Sequence, residues 1–191
     1  EKISFTQIDS LNKPNNSMFE NTQLSIEDFM TVKNQKFIGF DIIATNPPFG
    51  GVITNSDMLR NYTICDSAKA TRDILFVERC FDLLKDGGKL IIVLPTNIFS
   101  DECFGLQRKW ILQHFNINSV LSLHRDSFLP HTHQKTSVIF AEKKHGRDID
   151  STKKIKFIIS EKSGKDSRGR MILVNGKIDT DLPEAVSYVA M

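Results

Sequence analysis

Hydrophobic and polar positions along this chain follow two rhythms, short strand-like runs and longer stretches of helical spacing. Ile3-Ser4-Phe5-Thr6-Gln7-Ile8 alternates and predicts a strand, ended by Asp9-Ser10. Residues 11–36 are polar and turn-rich, with one short helical stretch at Ser25-Ile26-Glu27-Asp28-Phe29. Phe40-Asp41-Ile42-Ile43-Ala44-Thr45 is an apolar run of buried-strand length, stopped by Asn46-Pro47-Pro48-Phe49-Gly50-Gly51. Across residues 68–85, Ile74, Val77, Cys80, Phe81 and Leu84 recur at helical spacing, and Gly87-Gly88 ends that helix. Lys89-Leu90-Ile91-Ile92-Val93-Leu94 is a second buried strand, closed by Pro95. Residues 103–115 read as a helix (Leu106, Trp110, Ile111, Phe115), 117–123 as a strand and Thr136–Ala141 as another.

Strands alternating with helices of this length give βαβ units, so the fold class is α/β with a largely parallel sheet covered on both faces. The strands at 117–123 and 136–141 leave no room for a crossover helix and should form an antiparallel pair. Past Lys143 the composition changes. Lys143-Lys144-His145-Gly146-Arg147-Asp148 reads as a charged linker, and Lys156–Ile159 with Met171–Val174 predicts a β-hairpin around Gly164–Arg170. Asp181-Leu182-Pro183-Glu184 reads as a helix start, with Asp181 as its cap and Pro183 in the first turn. The expected division is a main unit over residues 1–144 and a small hairpin-and-helix appendage over 145–191.

Composition narrows the class. The chain has 191 residues, 40% hydrophobic and 25% charged, with net charge +2. This is globular composition at about one domain's length, enough to bury roughly 70% of the unfolded surface. No apolar run approaches the ~18–20 residues of a membrane span, and no leader pattern appears. Cys65, Cys80 and Cys103 form no CxxC pair, so neither zinc nor a disulfide framework is indicated and a reducing cytoplasm is expected. A pI near 8.4 permits contact with phosphate without demonstrating it. The start at Glu1-Lys2 inside a strand pattern, and a final helix that stops at Met191, read as a piece of a longer protein.

Asn46-Pro47-Pro48-Phe49 carries the most chemistry. It stands past the carboxyl end of a predicted strand, where open α/β sheets bind ligands. Consecutive prolines fix φ and restrict the residue before each, so Asn46 is held extended with its side chain aimed. The Asn46 carboxamide oxygen and the Pro47 carbonyl are uncharged acceptors. Together they can take both hydrogens of an exocyclic amine and turn its lone pair toward an electrophile. Phe49 offers a face for a planar ring, a stack of about 1–3 kcal/mol per base. Nothing here ionises near neutrality. Positioning, which can supply about 7–11 kcal/mol, suits transfer from an already reactive donor. The competing reading is a rigid turn without chemistry.

Phe40–Gly50, with this motif, resembles the catalytic segment of amino-group methyltransferases that use S-adenosylmethionine. Leu83-Leu84-Lys85-Asp86-Gly87-Gly88-Lys89-Leu90-Ile91-Ile92-Val93-Leu94-Pro95 is similar to the helix, double-glycine turn and strand that follow it. Phe128-Leu129-Pro130-His131-Thr132-His133-Gln134-Lys135-Thr136-Ser137-Val138-Ile139-Phe140 resembles the last hairpin strand of N6-adenine DNA methylases. The likeness is to modification subunits of type I restriction-modification systems in particular, and Ser163–Arg170 and Asp181–Glu184 are similar to that family's downstream region. The resemblance implies a partial Rossmann-like methyltransferase sheet, strands 3 to 7 of the order 3-2-1-4-5-7-6, with its last hairpin antiparallel. It implies methyl transfer from S-adenosylmethionine to N6 of a flipped adenine, without a metal; flipping is required because N6 is paired inside a duplex. Asn46 and Pro47 would accept from the target amine, Pro48 completes the catalytic motif, and Phe49 would stack on the base. Asp9 and Asn46 would meet the cofactor, Asp9 at its adenine. DNA, a specificity subunit and a restriction subunit are the implied partners, in a bacterial or archaeal cytoplasm.

One departure stands out. The family's Gly-rich loop after the first strand, and the acidic residue ending the second, are not in this sequence. The chain is therefore expected to be the C-terminal part of a methylase, inactive alone. The strand at 40–45 would present an open edge, paired non-natively with residues 3–8 or across a homodimer. Plainer readings stand beside the functional ones. Asp9 is equally a turn or cap residue, and His131 and His133 are loop histidines without a third metal ligand. Lys135 and the Lys162–Arg170 stretch are solvated positions or DNA-backbone contacts. Trp110 is core, and the cysteines are buried or inert. The competing functions are an RNA or protein-glutamine methyltransferase, against which Phe128–Phe140 speaks, and a non-catalytic docking piece.

Overall fold

The computed structural model describes residues 10, 11, 13, 26, 27, 37–65, 69–146 and 153–189. The strand expected at 3–8, and Asp9, lie outside them. β1 (Phe40–Thr45) leads to the short strands β2 (Val52–Ile53) and β3 (Ala70–Thr71), which pair antiparallel around α1 (Ser56–Leu59). Then come α2 (Arg72–Leu83), β4 (Leu84–Pro95), α3 (Asn97–Ser100), α4 (Gly105–His114), β5 (Phe115–Ser122) and β6 (Thr136–Lys143). β7 (Lys156–Ile159), the hairpin β8 (Leu173–Val174) with β9 (Lys177–Ile178), and α5 (Leu182–Ser187) complete the chain.

Five strands form the main sheet in the order β1-β4-β6-β5-β7. β1 runs parallel to β4 and β7 parallel to β5, while β6 lies antiparallel between β4 and β5. The expected antiparallel last hairpin is thus present, and β6 alone among the five strands runs against the others. Alternation along the strands builds two cores. Leu90, Ile92, Leu94, Ile117, Val120, Ile139 and Ala141 join Ile74, Leu75 and Val77 of α2 and Trp110 and Ile111 of α4. Leu75, Ile92 and Leu94 have 0% exposure, and each such side chain contributes about 1.5–3 kcal/mol relative to an exposed one. The intervening residues Ile91, Val138 and Phe140 meet Leu121, Leu123, Ile158 and Ala185 in a smaller cluster.

Several expectations change. The second cluster covers part of its face, so the sheet is not sheathed on both sides among the described residues: Ile42 of β1 stays 58% exposed. Beyond β4, no strand among the described residues pairs with β1. Leu106 is 66% exposed, because α4 turns Trp110 and Ile111 inward instead. Cys80 is buried, its thiol pushed up to about 12 by burial, but Cys103 is exposed. Lys156–Ile159 does not pair with Met171–Val174; it extends the main sheet as β7, and the hairpin turns at Asn175-Gly176. Asp181 holds the N-cap position of α5, but its side chain makes no cap hydrogen bond; its carboxylate instead accepts from the Ser160 hydroxyl (2.6 Å) and the Glu161 amide (2.7 Å) at the end of β7. Lys143 and Lys144, expected in a linker, close two helices. Lys143 Nζ donates to Phe81 O (2.8 Å) and Leu84 O (2.7 Å), and Lys144 Nζ to Leu112 O (2.7 Å). Cations there complement the helix C-termini.

Candidate active site

The parallel strands end at one rim. β1 stops at Thr45, which lies opposite Ile92, so Asn46 begins beside the last residues of β4. The Thr96 amide donates to Lys135 O (2.9 Å) and the Thr96 and Ser137 hydroxyls lie 3.0 Å apart, fixing the start of β6 at the same rim. Here Asn46 is exposed, Pro47 buried, Pro48 exposed and Phe49 half-buried. Burial of Pro47 anchors the motif and leaves the Asn46 carboxamide facing outward. Gly50 and Gly51 then take φ of +67° and +78°, a region that side chains resist. Gly51 O accepts from the Arg72 amide (3.1 Å), and β2 pairs with β3, so the loop after the motif is tied to the start of α2.

Phe49 does not stand alone. Its ring meets Phe128 edge-on, with centroids 5.4 Å apart and an interplanar angle of 89°. Phe128 comes from the loop after β5, whose Leu129 is 2% exposed. Lys165 reaches that loop from the C-terminal region, donating to Ser127 O (3.0 Å) and Leu129 O (2.8 Å).

On the same rim a cleft of about 510 Å³ is lined by Leu123, His124, Arg125, His133, Lys135, Ile159, Ser160 and Glu161. One arginine and one lysine stand there with one carboxylate and two histidines. His124 lies 3.8 Å from Asp126. The Thr136 hydroxyl at the rim is buried without a hydrogen-bond partner among the described residues. The described residues hold no group of three or more His, Cys, Asp or Glu placed for a metal.

Residues 1–128 match the Eco57I restriction-modification methylase family. The chain belongs to that family. It is 31% identical over 105 residues to the type I restriction enzyme EcoEI methylase subunit of Escherichia coli, a match over 54% of this chain and 21% of that protein. The chain thus spans about a fifth of this curated relative. Among solved structures it is similar to a chain described as the modification subunit of a type I restriction enzyme from Vibrio vulnificus YJ016. That likeness has a TM-score of 0.54 and 21% identity, covering 82% of this chain and 32% of that one. A chain described as a class I S-adenosylmethionine-dependent methyltransferase from Listeria monocytogenes matches with TM-score 0.54 and 20% identity, over 63% and 36% of the two chains. A chain from a type I restriction-modification system, solved for its complex assembly and conformational transition, matches with TM-score 0.50 and 27% identity, over 78% and 28%. The fold is similar to that of class I methyltransferases, and the β1-β4-β6-β5 order corresponds to the 4-5-7-6 part of the order expected from the resemblance.

The structure places Asn46, Pro47, Pro48 and Phe49 on the rim, with Lys135 and His133 lining the neighbouring cleft. Asp9 lies outside the described residues. The pairing of Phe128 with Phe49 is not singled out by the sequence, and Lys165 is read there only as a solvated position or DNA-backbone contact, not as a partner of the Phe128 loop. Both stand in segments that resemble the family, but a contact between distant loops leaves no periodic trace.

Proposed function

We propose that this chain is the catalytic part of a DNA adenine N6-methyltransferase subunit of a type I restriction-modification system. It would act with specificity and restriction subunits on DNA, in a bacterial or archaeal cytoplasm. The observation that carries this is the outward-facing Asn46 over a buried Pro47 at the carboxyl end of β1, with Phe49 backed by a second ring. Asn46 and Pro47 take the two hydrogens of the adenine amine, and Phe49 stacks on a base turned out of the duplex, where it can be reached. The cationic side of the cleft suits a phosphate backbone beside that base.

S-adenosylmethionine, when bound, supplies an electrophilic methyl group on a positively charged sulfur. The residues present fit the amine-receiving side of that reaction. They do not include a Gly-rich turn between a strand and a helix for the donor's methionine and ribose. The isolated chain is accordingly expected to show neither tight donor binding nor turnover in calorimetric and methylation assays. In the full-length methylase with its specificity partner, Asn46→Ala removes methylation while the thermal midpoint stays close to that of the parent. Retained methylation in that variant would overturn the assignment.

A further inference from the structure

We infer that Lys165 is a positioning residue for the Phe49–Phe128 pair, acting through the backbone that carries Phe128; this rests on the reading of Phe49 as the base-stacking residue. An ammonium has three donors and no acceptor. Lys165 directs its donors to Ser127 O (3.0 Å) and Leu129 O (2.8 Å), the carbonyls on either side of Phe128. The rigid peptide plane of Ser127 ends at the Phe128 Cα, and the Phe128 carbonyl on its other side accepts from the His131 (3.0 Å) and Thr132 (3.2 Å) amides, so Lys165 on Ser127 O holds the remaining plane that sets the direction of the Phe128 side chain, with Leu129 O as its second anchor. That ring is the one that meets Phe49 at 5.4 Å. Leu129 is already anchored by burial, at 2% exposure, so the loop is docked without Lys165. What the lysine adds is orientation.

Lys165 is itself held. Its amide donates to Ser163 Oγ (3.1 Å), Ser163 Oγ donates to Lys165 O (3.2 Å), and Lys165 bridges to Met171. The turn that follows lies flat on the same loop. A Cβ added at Gly169, whose φ is +80°, would stand 2.6 Å from Pro130 N. Asp166 closes that turn, accepting from the Arg168 and Arg170 amides (2.9 Å each) and from the Arg170 guanidinium (2.8 Å). The Lys162–Arg170 stretch, read from sequence as a solvated loop or DNA contact, therefore reaches the loop that carries Phe128.

The test uses the full-length methylase with its specificity partner, a duplex with adenine at the target for turnover, and a matched duplex carrying 2-aminopurine there as a reporter of base order. Lys165→Met is expected to fold with a midpoint near the parent's and to leave the KM for S-adenosylmethionine unchanged. It should lower kcat by about 10- to 100-fold, the scale of a ~1 Å misplacement. The fluorescence anisotropy of the bound 2-aminopurine should fall as it does in Phe49→Ala. Lys165→Arg, whose fork can also donate to both carbonyls, should restore kcat and anisotropy. Unchanged kcat and anisotropy in folded Lys165→Met, while Phe49→Ala lowers both, would overturn the brace alone. Unchanged values in Phe49→Ala would instead overturn the stacking reading on which the brace rests. If Lys165→Met does not fold, Lys165→Gln is read in the same way. If neither folds, Lys165 is a folding residue and the inference is overturned.

Discussion

Two neighbouring charges on α2 are as buried as the aliphatic residues around them: Glu78 is 3% exposed and Arg79 1%. Glu78 accepts from Lys13 Nζ (2.6 Å), the Thr63 amide (2.8 Å) and the Ile64 amide (2.7 Å). Arg79 grips Glu27 through both guanidinium ends and donates from Nε to Ser10 O (2.9 Å). Burial pulls the Arg79 pKa down, but the Glu27 carboxylate outweighs it and holds the pKa above its ordinary value. Arg79→Met strands a carboxylate that is 18% exposed, so water relieves part of the penalty. The expected loss is about 3 kcal/mol, the low end for a broken buried pair, and denaturant unfolding of the chain measures it. Helical periodicity turned Ile74, Val77 and Cys80 inward correctly, but it has no means of burying Glu78 and Arg79. Their partners sit 14 to 69 residues away in sequence. Asn46-Pro47-Pro48-Phe49 was legible for the opposite reason: proline acts on its own and the preceding residue, so the constraint is written locally.

At the scale of elements, β7 shows where pattern stops. Of its four residues only Ile158 is buried, while Phe157 is 71% and Ile159 68% exposed. A strand with one inward residue is equally a hairpin arm or the edge of a larger sheet. The choice is made by β5, whose Leu121 stands opposite Ile158. What fastens α5 beside it is Asp181. Burial raises that carboxyl, but the Ser160 hydroxyl and then the Glu161 and Lys162 amides outweigh it and hold it below its usual value. A carboxyl depressed in the folded state stabilises above its unfolded pKa, about 3.9, and that stability is lost as pH falls through the folded value. The protection factors of the α5 amides, each rate taken relative to the unstructured chain at the same pH, should therefore be high at neutral pH and fall below about pH 4. Ser160→Ala should move the onset upward in pH; an unchanged onset would remove Asp181 from the account.

For the whole molecule, a net charge of +2 hides an uneven distribution. Arg125 and Lys135 share the rim cleft, whereas Lys162 is spent on Asp179 at 2.9 Å. If the rim meets a nucleic-acid backbone, Arg125→Ala with Lys135→Ala should flatten the dependence of log K on log salt. The slope should change by about 0.9 for each phosphate that is no longer neutralised, and Lys162→Ala should leave it alone. Titrations of duplex into the full-length methylase at several ionic strengths decide it. The α/β class and the antiparallel last hairpin were legible because each element carries its own period. The order of the strands was reached by resemblance, since pairing is a property of the assembled chain.

That order has a consequence in time. β6 lies between β4 and β5 but is synthesised after both. As the chain leaves the ribosome, residues 84–122 are out before the strand that joins them, and β4 and β5 wait with facing edges unsatisfied. Closing them requires a contact from Lys89 to Glu142, across more than fifty residues. Such long closures slow folding and lengthen exposure to wrong partners. The same late strand then delivers Lys143 and Lys144 to the ends of two helices made earlier, so the junction of β4 with β5 and the ends of both helices are closed in a single arrival, before β7 adds the outer strand.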